Sequence, residues 1–385
     1  MPEYSGNISS KLPKVGASIF SVMSKLAQEH NAINLSQGFP DFDCSPELLS
    51  LANKYFNKGI NQYAPMAGIL PLREAIAKKT EDLYGTLYDP ETEITVTSGA
   101  TQAIYTAITA TIKENDEVII FGPAYDCYQP AVELNGGKPV YVKLNSLDFS
   151  INWEAVKKVI NNRTRMIIIN SPHNPTGNVL TEKDMLSLEN IVKNTNIIIL
   201  SDEVYEHIIF DGKKHLSVCK YPSLNERSFI ISSFGKTYHT TGWKIGYCLA
   251  PEKLMSEFRK VHQYIVFSCN TPLQYAFTDY LANKEAYTGL GAFYQQKRDH
   301  FNSLIKDSRF SLIPSSGTYF QLLDYKKITD KKDTDFAITL IKEHGVASVP
   351  VSVFYGTPVD NKVLRFCFAK NNETLEKAAK ILCTI

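Results

Sequence analysis

What this 385-residue chain lacks narrows its function before anything it contains. Its seven cysteines, at positions 44, 127, 219, 248, 269, 367 and 383, are odd in number and widely spread, with no Cys-x-x-Cys pair. That excludes a disulfide framework and a zinc knuckle and leaves them as small apolar core residues. No segment holds about 18 uninterrupted apolar residues, so no membrane-spanning helix is expected. The opening residues, Met1-Pro2-Glu3-Tyr4-Ser5-Gly6, lack a basic stretch followed by an apolar one, and a reducing cytoplasm is the expected location. Neither sign of charge dominates, with 41 Lys and Arg against 40 Asp and Glu, so a nucleic-acid partner is not expected. There is no internal repeat and no low-complexity tract. Chemistry on small molecules remains, in a chain too long for one small core.

One more absence removes a tempting motif. Gly235-Lys236-Thr237 imitates the tail of a phosphate loop, but that loop needs a glycine five positions earlier, where Ile230 stands.

What is present is an alternation of apolar strands and helical stretches. Strands are expected at 94–97, 118–121, 166–170, 197–200, 229–231 and 363–368, and helices at 19–30, 103–112 and 335–344. In the middle of the chain the strands are continuously apolar, which predicts a mostly parallel sheet covered on both faces. The fold class read here is α/β: a large domain over residues 45–285, plus a smaller α+β domain from residues 1–44 and 286–385. In such sheets ligands bind beyond the carboxyl ends of the strands. Gly99-Ala100-Thr101, Tyr125, Asn174, Asp202, Tyr205, Ser233 and Lys236 all fall at or just past those ends.

Together these residues supply what pyridoxal 5'-phosphate requires. Lys236 would bond covalently to its aldehyde, provided that burial or a neighbouring cation such as Lys244 lowers the amine's pKa from about 10.4. Asp202 would pair with the ring nitrogen, Asn174 and Tyr205 with the phenolic oxygen, and Tyr125 with the ring face. Ala100 and Thr101 at a helix N-terminus, with Ser233 and Lys244, would hold the phosphate.

On six segments the chain resembles the pyridoxal-phosphate-dependent aminotransferases of class I/II, fold type I: Asn61-Gln62-Tyr63, Ser98-Gly99-Ala100-Thr101, Pro172-His173-Asn174-Pro175-Thr176-Gly177, Ser201-Asp202-Glu203-Val204-Tyr205, Ser233-Phe234-Gly235-Lys236-Thr237 and Leu364-Arg365-Phe366. The likeness runs from about Ile33 to Ala369. It implies that Arg365 grips the substrate α-carboxylate, with Gly38 and Asn174 nearby. It also implies a homodimer in which Tyr63 reaches the neighbouring subunit's phosphate. Gln37-Gly38-Phe39-Pro40-Asp41-Phe42 and Pro350-Val351-Ser352-Val353-Phe354-Tyr355 resemble the methionine and kynurenine aminotransferase branch. Lys244 stands where the wider superfamily commonly has arginine, which keeps the charge and loses the planar fork.

Residues 261–283 contain neither Arg nor Lys. A dicarboxylic substrate would therefore find no partner there for its second charge. Phe20, Tyr63, Tyr125 and Phe354 as wall residues suit a thioether or an aromatic ring. The expected activity is ping-pong transamination of an amino acid of the methionine, phenylalanine, kynurenine or glutamine type. The alternatives are a β-eliminating lyase acting on cysteine conjugates and a cofactor-binding protein without turnover. No metal site is expected.

Overall fold

The computed structural model describes residues 2–146, 148–357 and 359–385. Met1, where the expected N-terminal segment begins, lies outside them. The strands in chain order are β1 (Ile33–Asn34), β2 (Ile94–Thr97), β3 (Glu117–Gly122), β4 (Lys138–Lys143), β5 (Thr164–Asn170), β6 (Ile198–Asp202) and β7 (Ser228–Ser233). They continue with β8 (Gly246–Leu249), β9 (Ser311–Ile313), β10 (Phe320–Asp324), β11 (Val346–Ala347), β12 (Val349–Pro350) and β13 (Val363–Cys367).

Seven strands make one sheet in the order β2-β8-β7-β6-β5-β3-β4. β8 is antiparallel to both neighbours, and the remaining pairings are parallel. The continuous apolar runs feed two cores at once, because successive strand side chains point to opposite faces. Val118, Ile120, Met166, Ile168, Leu200 and Ile231 pack on one face, against Ala103, Ala107 and Ile108 of the helix Gly99–Thr111. Ile119, Phe121, Ile167, Ile169, Ile199 and Ile230 pack on the other, with Ile76, Leu188 and Phe277. Each of the larger side chains among these contributes about 1.5–3 kcal/mol by leaving water. A polar substitution in any of the runs would therefore cost the sheet on one face.

A four-stranded antiparallel sheet, β12-β13-β10-β9, and the parallel pair β1-β11 lie in a third core. Met23 and Ala27 of the helix Ile19–Glu29 enter that core along the apolar stripe read from the sequence. The expected helix at 335–344 begins earlier, at Asp333, and its last turn, Leu340–His344, is a π-turn that stops at Gly345 with φ +77°. β4 was not expected: its short run Val140-Tyr141-Val142 follows a proline, lies between two lysines and is half-exposed at the sheet edge. Among the described residues no helix is long and apolar enough to cross a membrane.

Candidate active site

β5, β6 and β7 lie side by side and end together. Asn170 is in register with Asp202, and Asp202 with Ile231, so three strand ends open onto one edge of the sheet. The loop after β5 is tied down by Asn170, whose Oδ1 accepts from the Asn174 N–H at 2.8 Å. The Asn170 side chain also donates to the Asp202 carbonyl at 2.8 Å. These bonds fix Asn174 against the end of β6, and Asn174, Asp202 and Lys236 line one cavity of about 290 Å³.

Asp202 sits at the cavity floor, 3 % exposed. Burial pushes its carboxyl up to about 6, against hydrogen bonds from the Tyr128 hydroxyl and the Val204 N–H that favour the ionised form. Tyr128 donates at 2.6 Å. Lys236 faces the same space, and burial lowers its amine to about 8; Arg365 and Lys244 push the same way, while Cys367 and Asp202 oppose. The sequence left burial and a neighbouring cation such as Lys244 as the two ways to lower this amine, and both act. Desolvation is the larger cause.

The third corner is the start of the helix Gly99–Thr111. Gly99 has φ +75°, and a Cβ built there would lie 3.2 Å from Lys244 Nζ, so the ammonium sits over the helix N-terminus. A Cβ at Gly246 would lie 3.1 Å from the Ala100 nitrogen, so that glycine lets β8 approach the helix start. Ala100, Thr101, Ser233 and Lys244 all line the cavity here, as backbone and side-chain donors beside a fixed positive charge.

Opposite them stands Arg365 of β13, 1 % exposed. It donates to Asn174 Oδ1 at 2.8 Å and to the Ser36 carbonyl at 3.1 Å, and its Nε is buried without a partner. Its guanidinium lies 3.9 Å from the Phe320 ring centroid, 5.1 Å from Phe20 and 5.4 Å from Phe354. Rings on several sides keep water away from a permanent cation, and an anion entering the cavity meets a donor that still needs an acceptor.

Of the residues singled out from sequence, the cavity brings together Phe20, Gly38, Ala100, Thr101, Tyr125, Asn174, Asp202, Tyr205, Ser233, Lys236, Lys244 and Arg365. It does not include two others. Phe354 is 3 % exposed and packs beside Phe20, ring centroids 5.9 Å apart, and it does not line the cavity. Tyr63 is 80 % exposed and packs edge-on against Phe267, outside this chain's cavity. Sequence reasoning missed Tyr128, Tyr319, Phe320 and Asn170. Asn170 had a signal, as the last polar residue of an apolar strand; the tyrosines and Phe320 had none. Among the described residues, no group of three or more His, Cys, Asp or Glu is placed to hold a metal.

Residues 30–382 match the family described as aminotransferase class I and II. The chain is 49 % identical over 374 residues to the methionine aminotransferase of Escherichia coli (strain K12), covering 97 % of each chain. It is 32 % identical to kynurenine–oxoglutarate transaminase 1 of Mus musculus, covering 94 % of this chain and 93 % of that one. The crystal structure of YbdL from Escherichia coli, described as identifying a methionine aminotransferase function, superposes with a TM-score of 0.96 at 48 % identity, covering 98 % of this chain and all of the other.

Proposed function

Since the chain belongs to the class I and II aminotransferases, enzymes of fold type I that work with pyridoxal 5'-phosphate, we propose that it binds that cofactor in the cavity described. We propose further that it takes the α-amino group of an apolar or aromatic amino acid, of the methionine, phenylalanine, kynurenine or glutamine type, and passes it to a 2-oxo acid. The donor set fits the cofactor. Lys244 and the helix N-terminus suit a phosphate, and Asp202 at the cavity floor suits a protonated ring nitrogen. Ser233, Ala100 and Thr101 complete the phosphate donors, Asn174 and Tyr205 suit the phenolic oxygen, and Tyr125 suits the ring face. When bound, pyridoxal phosphate supplies an aldehyde that reacts with amines and a ring that accepts the electron pair left at the substrate's α-carbon.

The chain's own residues do the rest. Arg365, with its Nε unpartnered, holds the substrate carboxylate and fixes which α-carbon bond faces Lys236. The Lys236 amine would hold the cofactor's aldehyde at rest and, when free, would serve as the base that takes the Cα proton and as the acid that returns it to the former aldehyde carbon. Asp202 in its ionised form would pair with a protonated ring nitrogen and hold that positive charge in place. Tyr128 keeps that carboxylate aimed, through a bond of 2.6 Å. Phe20, Phe320 and Ile104 line the wall, and the cavity's cations among the described residues are Lys236, Lys244 and Arg365. A second substrate carboxylate therefore has no partner beyond those already committed.

Two wider features belong to the same reading. Residues 45–285 form the cofactor-binding domain, and 1–44 with 286–385 the smaller one; a core drawn mostly from the latter residues, joined by Tyr205, Ile208 and Phe210, supports this division. The protein works as a cytoplasmic homodimer, supported by its seven free thiols and by the exposed group Tyr63, Tyr264, Ile265 and Phe267. Tyr63 is the residue given to the partner's phosphate site.

The observation that carries the reading is the convergence of Lys236, Asp202 and an incompletely partnered Arg365 on one cavity. A panel of donors with several 2-oxo acids tests it. Methionine, phenylalanine, kynurenine or glutamine should exceed aspartate by roughly a hundredfold in kcat/KM, the scale of a buried unpaired charge. Aspartate as the best donor would contradict the pocket argument.

A further inference from the structure

Three polar atoms close a triangle at one side of the cavity. Lys236 Nζ donates to the Gly38 carbonyl at 2.9 Å and to the Tyr319 hydroxyl at 2.8 Å. Tyr319 donates its own hydrogen to the same Gly38 carbonyl at 2.5 Å. A phenol has a single O–H, so the Tyr319 oxygen can offer Lys236 only lone pairs. The ring is fully buried, held by Tyr205, Tyr294 and Phe320 at centroid distances of 5.2, 5.6 and 5.0 Å. Burial keeps its ionisation well above the ordinary range, so it stays a neutral hydroxyl. Tyr319 directly precedes β10, Gly38 follows β1 and Lys236 follows β7, so the triangle ties together three distant parts of the chain.

An uncharged amine has two N–H bonds and one lone pair. Here the Gly38 carbonyl and the Tyr319 hydroxyl take both hydrogens, and the lone pair is left to point away from them. Lys236 lines the cavity, where a substrate would meet the side of the amine that these two acceptors leave free. The geometry points to Tyr319 as a catalytic residue: with the Gly38 carbonyl, it orients the Lys236 amine so that the lone pair meets the substrate's Cα–H. In the proton transfer the C–H bond breaks and an N–H bond forms, and the electron pair stays with substrate and cofactor. The resulting ammonium keeps two hydrogens on the acceptor pair and presents the third for delivery. Tyr319 gains and loses no proton. This inference rests on the reading of Lys236 as the base in an aminotransferase site.

Tyr319→Phe keeps the ring packing and removes one acceptor. For methionine with a 2-oxo acid, kcat should fall roughly tenfold or more while KM stays within about twofold. The isotope effect of Cα-deuterated methionine on kcat should rise, because proton transfer becomes more fully rate-limiting. A second measurement needs no cofactor: acetylation of Lys236 by acetic anhydride in the cofactor-free protein, followed by mass spectrometry across pH. The midpoint should move down in Tyr319→Phe, since the ammonium loses a charge-assisted acceptor. An unchanged midpoint, or a fall in kcat with no change in isotope effect, overturns the role given to Tyr319. If the wild-type protein transaminates while the variant matches it, Tyr319 alone falls; if the wild type transaminates no amino acid, the reading of the site falls with it.

Discussion

Lys236 and Asp202 are opposite cases of one effect. Burial favours whichever form is uncharged, so it lowers the amine from 10.5 to about 8 and raises the carboxyl from 3.8 to about 6. Only the neutral amine attacks an aldehyde. The rate at which cofactor-free protein captures pyridoxal phosphate should therefore climb as pH rises through about 8 and then level off. A stopped-flow series across pH checks this, and a rate still climbing steeply above pH 10 would show an ordinary lysine. The linkage has a definite sign. Between about 8 and 10.5 the unfolded chain binds the extra proton at Lys236, so raising pH through that window adds stability to the cofactor-free fold. Between 3.8 and about 6 the folded chain holds the proton at Asp202, so raising pH there removes stability.

At the scale of elements, the site depends on strand ends held in register by what lies beneath them. The turn after β6 carries Asp202 and Tyr205 toward the cavity and Glu203 and Glu206 into the protein. Glu206 accepts from Lys79 at 2.7 Å, Ser232 at 2.7 Å and Tyr84 at 2.6 Å, which ties the turn to β7 and to the helix Leu70–Tyr84. Burial alone would raise the Glu206 carboxyl, but Lys79 and the neighbouring histidines hold it well below its usual range. Lys79→Ala leaves that carboxylate buried without its cation and should cost about 3–5 kcal/mol in a urea titration. A loss under about 1 kcal/mol would mean that the pair is not a structural tie.

Much of this scale could be read in the sequence, for a definable reason. β3, β5, β6 and β7 are buried on both faces, so their apolar runs are continuous and their polar ends stand out: Asp202 closes β6, Ser233 closes β7, and Asn174 and Lys236 follow within a turn. Arg365 was legible from its short motif in β13. What stayed hidden is contact between residues far apart in the chain. Tyr128 meets Asp202 across 74 residues, and Tyr319 meets Lys236 across 83, with no local pattern to pair them. Phe354 lies 5.4 Å from the Arg365 guanidinium and beside Phe20, but it does not line the cavity. Its neighbourhood follows from the fold, whereas its depth depends on packing that periodicity does not encode.

At the scale of the whole molecule, Tyr63 and Phe267 leave aromatic surface facing solvent, 80 % and 53 % exposed, beside Tyr264 at 90 %. This group is the surface on which the proposed dimer would form. If each subunit lends Tyr63 to its partner, a mixed dimer of Tyr63→Ala and Lys236→Ala chains contains one site with both residues intact. Differently tagged chains, co-expressed and purified as the mixed species, should regain activity that neither parent homodimer has. A mixed dimer no more active than the Tyr63→Ala parent would place Tyr63 outside the site.

The chemistry of one amine, that of Lys236, decides whether the cavity holds the proposed cofactor. Purified protein incubated with pyridoxal phosphate, treated with borohydride and digested should yield a single modified peptide carrying the pyridoxyl group on Lys236, and Lys236→Ala should yield none. Label on another lysine, or no stable label in the wild-type chain, would contradict the account.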